Sequence, residues 1–185
     1  STEVKRMLLS YNELHELIES GVIDADPENV NGTSIDVRLD RTILVEMEKK
    51  EIGIVDPSLK QSHETVRIEM PDSGYLMLPG QCVLASTVET FNLPEDLSCE
   101  FKLKSSMARV FLENMLATWG DPWWSNSKMT LELKNELQHN AILIKPNMKV
   151  GQMIFYRSKP VPEGRSYKVR GRYNNTTTVT ASKGV

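Results

Sequence analysis

Short runs of alternating apolar and polar residues, separated by turn signals, occupy most of the chain. In residues 33–39, Ile35, Val37 and Leu39 alternate with polar neighbours, a period typical of a half-buried strand. Similar short runs follow at 43–46, 65–68, 75–78, 81–87, 98–103, 129–133, 141–144 and 150–156, with Pro, Gly and Asp turns between many of them. Many short strands with few helices are typical of a barrel or jelly roll. The sequence therefore predicts a mainly β fold.

One short helix is predicted before these strands. Ser10 and Glu13 have the spacing of a capping box, and Gly21 is a typical stop signal. Between them, Leu14, Leu17 and Ile18 form one apolar stripe. The pattern indicates an amphipathic helix that packs one face on the strands.

Composition excludes several classes of function. The formal charge of −3 argues against a protein that binds nucleic acid by neutralising phosphates. No apolar run approaches the about 20 residues that a membrane helix needs. Charged residues interrupt the region before the helix, so no signal peptide is predicted. The two cysteines, Cys82 and Cys99, are too few to staple the chain. We expect one cytoplasmic domain with reduced thiols and no membrane or nucleic-acid partner.

Two stretches carry residues suited to chemistry. Residues 104–109 combine two hydroxyls and two cations at a predicted turn into a short helix, a combination that suits a polyphosphate. In the strand-like run 128–134, Glu132 shares a face with Thr130, opposite three apolar side chains. A carboxylate beside an enclosed pocket has a raised pKa and can carry protons. Taken alone, the residues favour a plainer interpretation, in which Glu132 is a solvated side chain and residues 105–109 contain a helix cap and a surface cation.

The chain changes character after Pro160. Residues 161–185 contain a polar run at 174–178 and lack apolar periodicity. We therefore divide the chain into a β domain, 1–160, and a mobile C-terminal arm, 161–185. The alternative for this arm is a disordered tail.

Ten blocks of sequence resemble, in order and spacing, the dCTP deaminases of the dUTPase superfamily. They are LLS (8–10), NGTSIDVRL (31–39), LPG (78–80), TVE (87–89), KSSMAR (104–109), DP (121–122), TLEL (130–133), Asn135, PNMKVGQ (146–152) and RYNN (172–175). Together the blocks cover most of the chain. Each block is weak alone, and their joint order makes the resemblance specific.

The resemblance implies a distorted β-barrel or jelly roll of the dUTPase-like type, assembled as a homotrimer with active sites between subunits. It implies hydrolytic deamination of dCTP to dUTP and ammonia, with Mg²⁺ bound to the triphosphate rather than to a protein cage. The arm would close over the nucleotide. Independently, the histidines His15, His63 and His139 do not form the HxE and PCxxC pattern of a zinc deaminase, so no zinc is expected.

The resemblance also assigns roles to single residues. Glu132 would be the general acid/base, Ser105 would order the attacking water or the leaving group, and Arg109 would hold Glu132 and the tetrahedral intermediate. The residues expected to bind the nucleotide are Lys104, Ser106, Thr118, Asp121, Thr130, Tyr167, Arg172 and Thr176. No residue is expected to bind a metal directly.

The segment before and after Asp121 departs from the family pattern. It is one residue shorter before Asp121 and one longer after it, and it contains Trp119, Trp123 and Trp124, which could stack on the nucleotide or pack in the core or an interface. Base specificity is therefore open. We expect deamination alone, and the alternatives are a dUTPase or a bifunctional enzyme that forms dUMP, a deaminase of 5-methyl- or 5-hydroxymethyl-dCTP, and a non-catalytic trimeric regulator.

Overall fold

The computed structural model describes residues 7–185, and this part of the chain is mainly β. The strands are β1 Ile23–Asp24, β2 Ile35–Arg38, β3 Thr42–Glu46, β4 Thr65–Glu69, β5 Tyr75–Met77, β6 Cys82–Phe91, β7 Leu97–Leu103, β8 Leu112–Asn114, β9 Trp119–Gly120, β10 Ser127–Asn135, β11 Ile142–Ile144 and β12 Lys149–Arg157. The helices are α1 Tyr11–Glu19, α2 Ser105–Ala108 and α3 Tyr167–Arg170, with three short 3₁₀ turns. The prediction of a mainly β fold is confirmed.

All the strand pairings are antiparallel and divide the strands among three open sheets. The largest has the order β4-β3-β6-β10-β8, with β1 also paired to β6. A second has the order β2-β12-β7-β9, and β11 pairs with β5 in the third. The predicted strand runs each fall within or beside an observed strand. Both stretches singled out for their chemistry therefore lie on this framework, one after β7 and one within β10.

Helix α1 forms where the capping pattern placed it. The backbone N–H of Ser10 donates to the Glu13 carboxylate at 3.4 Å, and Gly21 follows the helix with a φ of +79°. Leu14 and Leu17 are buried. The apolar stripe therefore packs inward, as expected for an amphipathic helix.

One hydrophobic core joins the two larger sheets and α1. Its largest fully buried side chains include Phe91 of β6 and Phe155 of β12, and Leu131 of β10 is also fully buried. Removal of this apolar surface from water is the main source of stability for such a domain. Because alternate residues of β10 pack into this core, the residues between them point away from it.

Strand β2 is more buried than its alternation predicts. The half-buried interpretation is wrong here, because Ser34 and Asp36 are 6% and 5% exposed on the face expected to meet water. Asp36 accepts hydrogen bonds from Asn31 Nδ2 and from Lys104 Nζ, each at 2.8 Å. Ser34 Oγ donates to Gln152 Oε1 at 2.7 Å. Polar partners from distant segments make this burial tolerable, and alternation alone does not reveal them.

Residues 161–185 lie against the first part of the chain. The backbone N–H of Lys128 donates to the Thr176 carbonyl at 2.8 Å, and that of Thr180 donates to Thr130 Oγ1 at 3.2 Å. Val179 is 3% exposed. The segment therefore covers the outer face of β10. Within residues 7–185, no helix is both long and apolar enough to span a membrane.

Candidate active site

Strand β10 presents its polar face to a cavity of about 380 Å³. Met129, Leu131 and Leu133 are buried in the core, and Thr130 and Glu132 point away from it. Thr130 and Glu132 line the cavity, and Met129 also contributes to its lining. This is the division of faces that the alternating sequence predicts. The fold thus holds a carboxylate over a partly open cavity.

The cavity collects residues from several parts of the chain. Its walls come from β10, from the turn between β8 and β9, from β9 and the loop after it, and from the C-terminal segment, with single contributions from β6 and the loop before β4. The lining residues that the sequence predicted for the site are Glu132, Thr118, Thr130, Tyr167 and Thr176. These five predicted residues are therefore brought together around one cavity.

The carboxyl of Glu132 is partly buried on a strand that lies between β6 and β8. Its Oε2 atom is buried, and no group in residues 7–185 donates a hydrogen bond to it. Burial raises the pKa of this carboxyl above its ordinary value, because water no longer stabilises the charged form. A carboxyl that exchanges protons more readily near neutral pH is suited to acid/base chemistry.

The turn between β8 and β9 forms one wall of the cavity. Thr118, which is 8% exposed, donates from Oγ1 to the carbonyl of Phe101 at 3.3 Å, and Asn114 Nδ2 donates to Thr118 Oγ1 at 3.4 Å. The Oδ1 atom of Asn114 is buried without a donor among the described residues. Backbone pairing and these side chains hold the turn against both larger sheets.

The C-terminal segment forms the roof. Tyr167 and Tyr173 both line the cavity, and the backbone N–H of Tyr173 donates to the Tyr167 hydroxyl at 3.2 Å. Burial is the main cause of a raised pKa at Tyr167. The Tyr173 carbonyl accepts from Trp124 Nε1 at 3.0 Å and from Ser127 Oγ at 3.1 Å. The roof is therefore fastened at both β10 and the turn that precedes it.

The predicted phosphate-binding stretch lies outside this cavity. Ser105, Ser106 and Arg109 are exposed on and after α2, and none of them lines the cavity that contains Glu132. Lys104 forms an ion pair with the buried Asp36 at 2.8 Å. Within one chain, therefore, none of these four neighbouring residues lies in the cavity that contains Glu132.

Asp121 and Arg172 do not line the cavity. Asp121 is exposed, and its Oδ1 accepts a hydrogen bond from Trp119 Nε1 at 3.1 Å. The Arg172 guanidinium donates to the carbonyls of Lys183 and Gly184, at 3.1 and 2.7 Å, and does not line the cavity. In this placement Arg172 organises the end of the C-terminal segment.

Several cavity residues have no signal in the sequence as site residues. They are His63, Leu84, Ala117, Lys128, Met129, Tyr173, Thr180, Ala181 and Ser182. Thr180 reaches the cavity through a hydrogen bond to Thr130, fifty residues away, and His63 lines it from the loop before β4, contacts that no local pattern reveals. Trp119 and Trp124 were candidates for stacking; Trp124 stacks on Phe91, with ring centroids 5.2 Å apart, and also lines the cavity.

Side chains able to hold a metal ion are not clustered here. Between residues 7 and 185, no group of three or more His, Cys, Asp or Glu side chains has the arrangement of a metal site. Independence from zinc stays a prediction from the sequence.

Comparisons with known proteins agree with the resemblance in the sequence. Residues 8–158 match the family model described as dCTP deaminase-like. The chain is 38% identical over 185 residues to a "dCTP deaminase, dUMP-forming" of Streptomyces avermitilis, with 96% of this chain and 95% of that protein covered. It is 37% identical over 185 residues to the protein of the same name from Corynebacterium glutamicum, with 96% of each covered.

A solved structure shares the fold. The crystal structure of 2′-deoxycytidine 5′-triphosphate deaminase from Agrobacterium tumefaciens aligns with a TM-score of 0.64 at 18% identity, over 83% of this chain. The alignment spans about half, 49%, of that longer chain. The predicted family is confirmed: this chain belongs to the dCTP deaminase-like family, whose curated relatives are hydrolytic deaminases.

Proposed function

We propose that the protein hydrolyses the 4-amino group of dCTP, with Glu132 as general acid and base. The observation that supports this most directly is the buried Glu132 Oε2 atom, to which no described residue donates. Buried polar atoms almost always have a partner, so this oxygen is suited to receive a proton or a hydrogen bond from a ligand. The names of the relatives identify dCTP as the ligand to test.

The proposed proton transfers balance around one carboxylate. Water gives a proton to Glu132 as its oxygen bonds to C4 of the base, and Glu132 passes this proton to N3. Glu132 then takes the proton of the new C4 hydroxyl and gives it to the amino group, the C4–N4 bond breaks, ammonia leaves and a C4 carbonyl remains. A raised pKa places the carboxyl nearer to the value at which it both accepts and donates efficiently.

We further propose that a second copy completes each site. Ser105, Ser106 and Arg109 are exposed, as a contribution to a neighbouring subunit requires. In a homotrimer, α2 of one copy would face the cavity of the next. Arg109 would then stabilise the tetrahedral intermediate, and Ser105 would order water or the leaving group. Lys104 and Ser106 would bind phosphate, for which Lys104 would exchange or share its contact with Asp36. Closure of the strands into a barrel belongs to the same proposal.

The roof and the turn would bind the rest of the nucleotide. Thr118 and Thr130 line the cavity beside Glu132, and Tyr167 and Thr176 approach from the roof. Arg172, whose guanidinium binds carbonyls in this structure, would act indirectly or turn toward phosphate when the ligand is bound. We propose residues 161–185 as an arm that closes over the nucleotide and excludes water from the reaction.

The product is the second element of the proposal. The expectation from the sequence was dUTP, and the two curated relatives described above are both named dUMP-forming. We therefore favour the bifunctional alternative, in which Asp121 takes a proton from a water that attacks the α-phosphorus and pyrophosphate leaves. Mg²⁺ would arrive with the triphosphate as part of the substrate. A cytoplasmic location, the absence of a nucleic-acid partner and tolerance of a C5 substituent stay predictions.

The test is product analysis. The protein is incubated with dCTP and Mg²⁺, nucleotides are separated by anion exchange, and ammonia is measured in parallel. Ammonia with dUMP supports the full proposal, whereas ammonia with dUTP supports deamination alone. Nucleotide binding without ammonia supports the non-catalytic regulator. 5-Methyl-dCTP and 5-hydroxymethyl-dCTP, run side by side with dCTP and with dUTP, report on C5 tolerance and on direct hydrolysis.

A matched control separates chemistry from charge. Glu132→Gln is compared with Glu113→Gln, which makes the same change on the exposed face of β8. Loss of ammonia release in the first variant alone supports the role of Glu132. Equal activity of both variants overturns it.

A further inference from the structure

Strand β6 carries a bulge where it pairs with β10. The pairing places Lys128 opposite Thr90 and Thr130 opposite Ser86, so three residues of β6, 87–89, lie opposite a single residue of β10. A bulge of this kind interrupts the ladder of backbone hydrogen bonds and bends the strand. Bulges are common beside active sites, where they change the direction of a side chain.

The hydroxyl of Thr87 closes this bulge. Its Oγ1 atom accepts a hydrogen bond from the backbone N–H of Met129 at 3.0 Å and donates one to the carbonyl of Glu89 at 2.9 Å. Thr87 is fully buried, so water does not replace either contact. A hydroxyl has one proton to donate, and here that proton is directed at Glu89 while Met129 occupies an acceptor position. The side chain therefore replaces the ladder hydrogen bond that the bulge interrupts.

The bulge is also anchored to the second large sheet. The Glu89 carboxylate is buried and accepts hydrogen bonds from the backbone N–H of Arg38 at 3.0 Å and from its Nε at 2.9 Å. Arg38 ends β2, which belongs to the sheet that does not contain β6. Hydrogen bonds between charged groups are among the stronger ones in proteins. The Thr87 hydroxyl thus links Met129 of β10 to a fixed point between the sheets.

The bulge determines which residue of β6 lies beside Glu132. In the observed register Glu132 is opposite Leu84, and both residues line the cavity. If the register at Lys128 continued without the extra residues, Glu132 would be opposite Ser86, which does not line the cavity. A slip by two residues keeps the same side chains on the polar face of β10, so the alternating pattern does not prevent it. The bulge therefore selects one of two registers that divide the faces alike.

We infer that Thr87 is a positioning residue, whose hydroxyl holds β10 in the register that brings Glu132 into the cavity. This role rests on the proposed function for the reaction in which Glu132 takes part. Thr87 itself does not line the cavity. Loss of the hydroxyl should therefore lower turnover and leave nucleotide affinity nearly unchanged.

Three variants separate the hydroxyl of Thr87 from the volume of its side chain. Thr87→Val keeps the shape and removes both hydrogen bonds, whereas Thr87→Ser keeps the hydroxyl and removes a methyl group. Thr42→Val is the matched control, because Thr42 is also buried in the same sheet and its Oγ1 donates to Glu69 Oε1 at 2.6 Å. Thr42 lies on β3, which does not pair with β10, and it does not line the cavity.

The main experiment measures kcat and KM for ammonia release from dCTP with Mg²⁺. We expect Thr87→Val to lower kcat about tenfold to a hundredfold, the effect of a displacement of about 1 Å, and to change KM less than about threefold. Thr87→Ser should recover most of kcat, and Thr42→Val should keep it. Titration calorimetry with dCTP in the Glu132→Gln background should give the same number of binding sites per chain for every variant. A lower kcat then does not come from a lower fraction of folded protein.

Amide hydrogen exchange, followed by NMR, tests the contact without activity. The Met129 N–H should exchange faster in Thr87→Val than in the unmodified protein, because no hydroxyl accepts its hydrogen bond. Exchange of the same N–H should stay slow in Thr87→Ser and in Thr42→Val.

The opposite results overturn the inference in distinct ways. A normal kcat in Thr87→Val would show that Glu132 needs no such support, and a Thr87→Ser variant as slow as Thr87→Val would show that the hydroxyl is not the cause. Equal losses of kcat in Thr87→Val and Thr42→Val would assign both to general destabilisation. If the unmodified protein releases no ammonia, the proposed function fails instead. The exchange rate of the Met129 N–H then decides separately whether Thr87 holds β10: a faster rate in Thr87→Val supports this hold, and an unchanged rate overturns it.

Discussion

The backbone N–H of Met115 donates to the carbonyl of Glu132 at 3.0 Å. The residue that carries the buried carboxylate therefore also fastens the start of the turn that forms the opposite wall of the cavity. A shift of β10 by even a fraction of an ångström moves both the proposed acid/base group and the turn. Changes in this turn are consequently expected to alter turnover as well as ligand selection.

Glu132→Gln is expected to lower kcat by roughly 10²–10⁴-fold while nucleotide affinity stays nearly unchanged, because the amide keeps the size of the side chain and cannot shuttle protons. Steady-state kinetics and calorimetry provide the two measurements. In the unmodified protein, the acid limb of kcat/KM should lie above pH 4.5, the ordinary value for this group. Turnover near normal in the variant would contradict the mechanism.

The same substitution should stabilise the fold at neutral pH. Burial raises the pKa of Glu132 in the folded state, so the folded protein binds this proton more tightly than the unfolded chain does. The stabilising effect of this bound proton is complete below the pKa of Glu132 in the unfolded chain, and it is lost as the pH rises through the pKa of Glu132 in the folded protein. Urea unfolding should therefore show that the stability advantage of Glu132→Gln over the unmodified protein grows as the pH rises above about 4.5. A difference that does not depend on pH would refute burial as the cause.

Two inactive variants should restore activity to each other. If Glu132 and Arg109 act across a subunit boundary, Glu132→Gln and Arg109→Ala chains that are refolded together form some complete sites. Random assembly predicts activity of about one quarter of the unmodified protein, since half of the chains supply each residue. Each variant refolded alone is the control. Mixtures as inactive as their components would show that no shared site exists, and light scattering would show whether the trimer has formed.

Gly120→Ala should destabilise the wall that holds Trp119. A Cβ at this position would be 2.7 Å from Cys99 Sγ and 2.9 Å from the ring of Trp124, and both neighbours are buried. Overpacking of this kind costs about 1–3 kcal/mol and should lower the melting temperature by several degrees. Gly53→Ala is the control, because its Cβ would meet no atom within 4 Å. Equal melting temperatures for the two variants would contradict the packing described here.

Removal of metal ions should distinguish a cation that arrives with the substrate from a metal that is bound to the protein itself. We expect EDTA to weaken activity on dCTP and added Mg²⁺ to restore it, because Mg²⁺ binds the phosphate oxygens of the substrate. A zinc-selective chelator should have no effect. Elemental analysis that finds stoichiometric zinc in the purified protein would contradict the prediction.

The sequence predicts strands more fully than it predicts the site. Residues 129–133 place Glu132 opposite the core by simple alternation, and this holds because one face of β10 is buried. The same argument is wrong for β2, since the polar partners of Asp36 come from Asn31 and Lys104, one nearby and one distant in sequence. Alternation of apolar and polar residues therefore predicts which side chains are buried only where the polar face of the strand has no polar partners from other segments.

The cavity depends on contacts that local patterns do not encode. Thr180 reaches Thr130 across fifty residues, and His63 enters the lining from the loop before β4. The position of residues 104–109 outside the cavity is also beyond sequence patterns, because spacing along a chain says nothing about which sheet edge a short helix occupies. The resemblance to a family supplied these residues as candidates without their geometry.

The main-chain groups that fasten the roof have a consequence for how such a protein can diverge. The backbone N–H of Lys128 donates to the Thr176 carbonyl at 2.8 Å, and that of Asn175 donates to the Ser125 carbonyl at 3.2 Å. These main-chain hydrogen bonds attach the roof to the sheet domain and do not depend on which side chains occupy the positions. Substitutions along the roof can therefore change what it offers to a ligand while its attachment persists. This segment is a route by which substrate preference could be altered, by selection or in the laboratory, without disturbing the sheets.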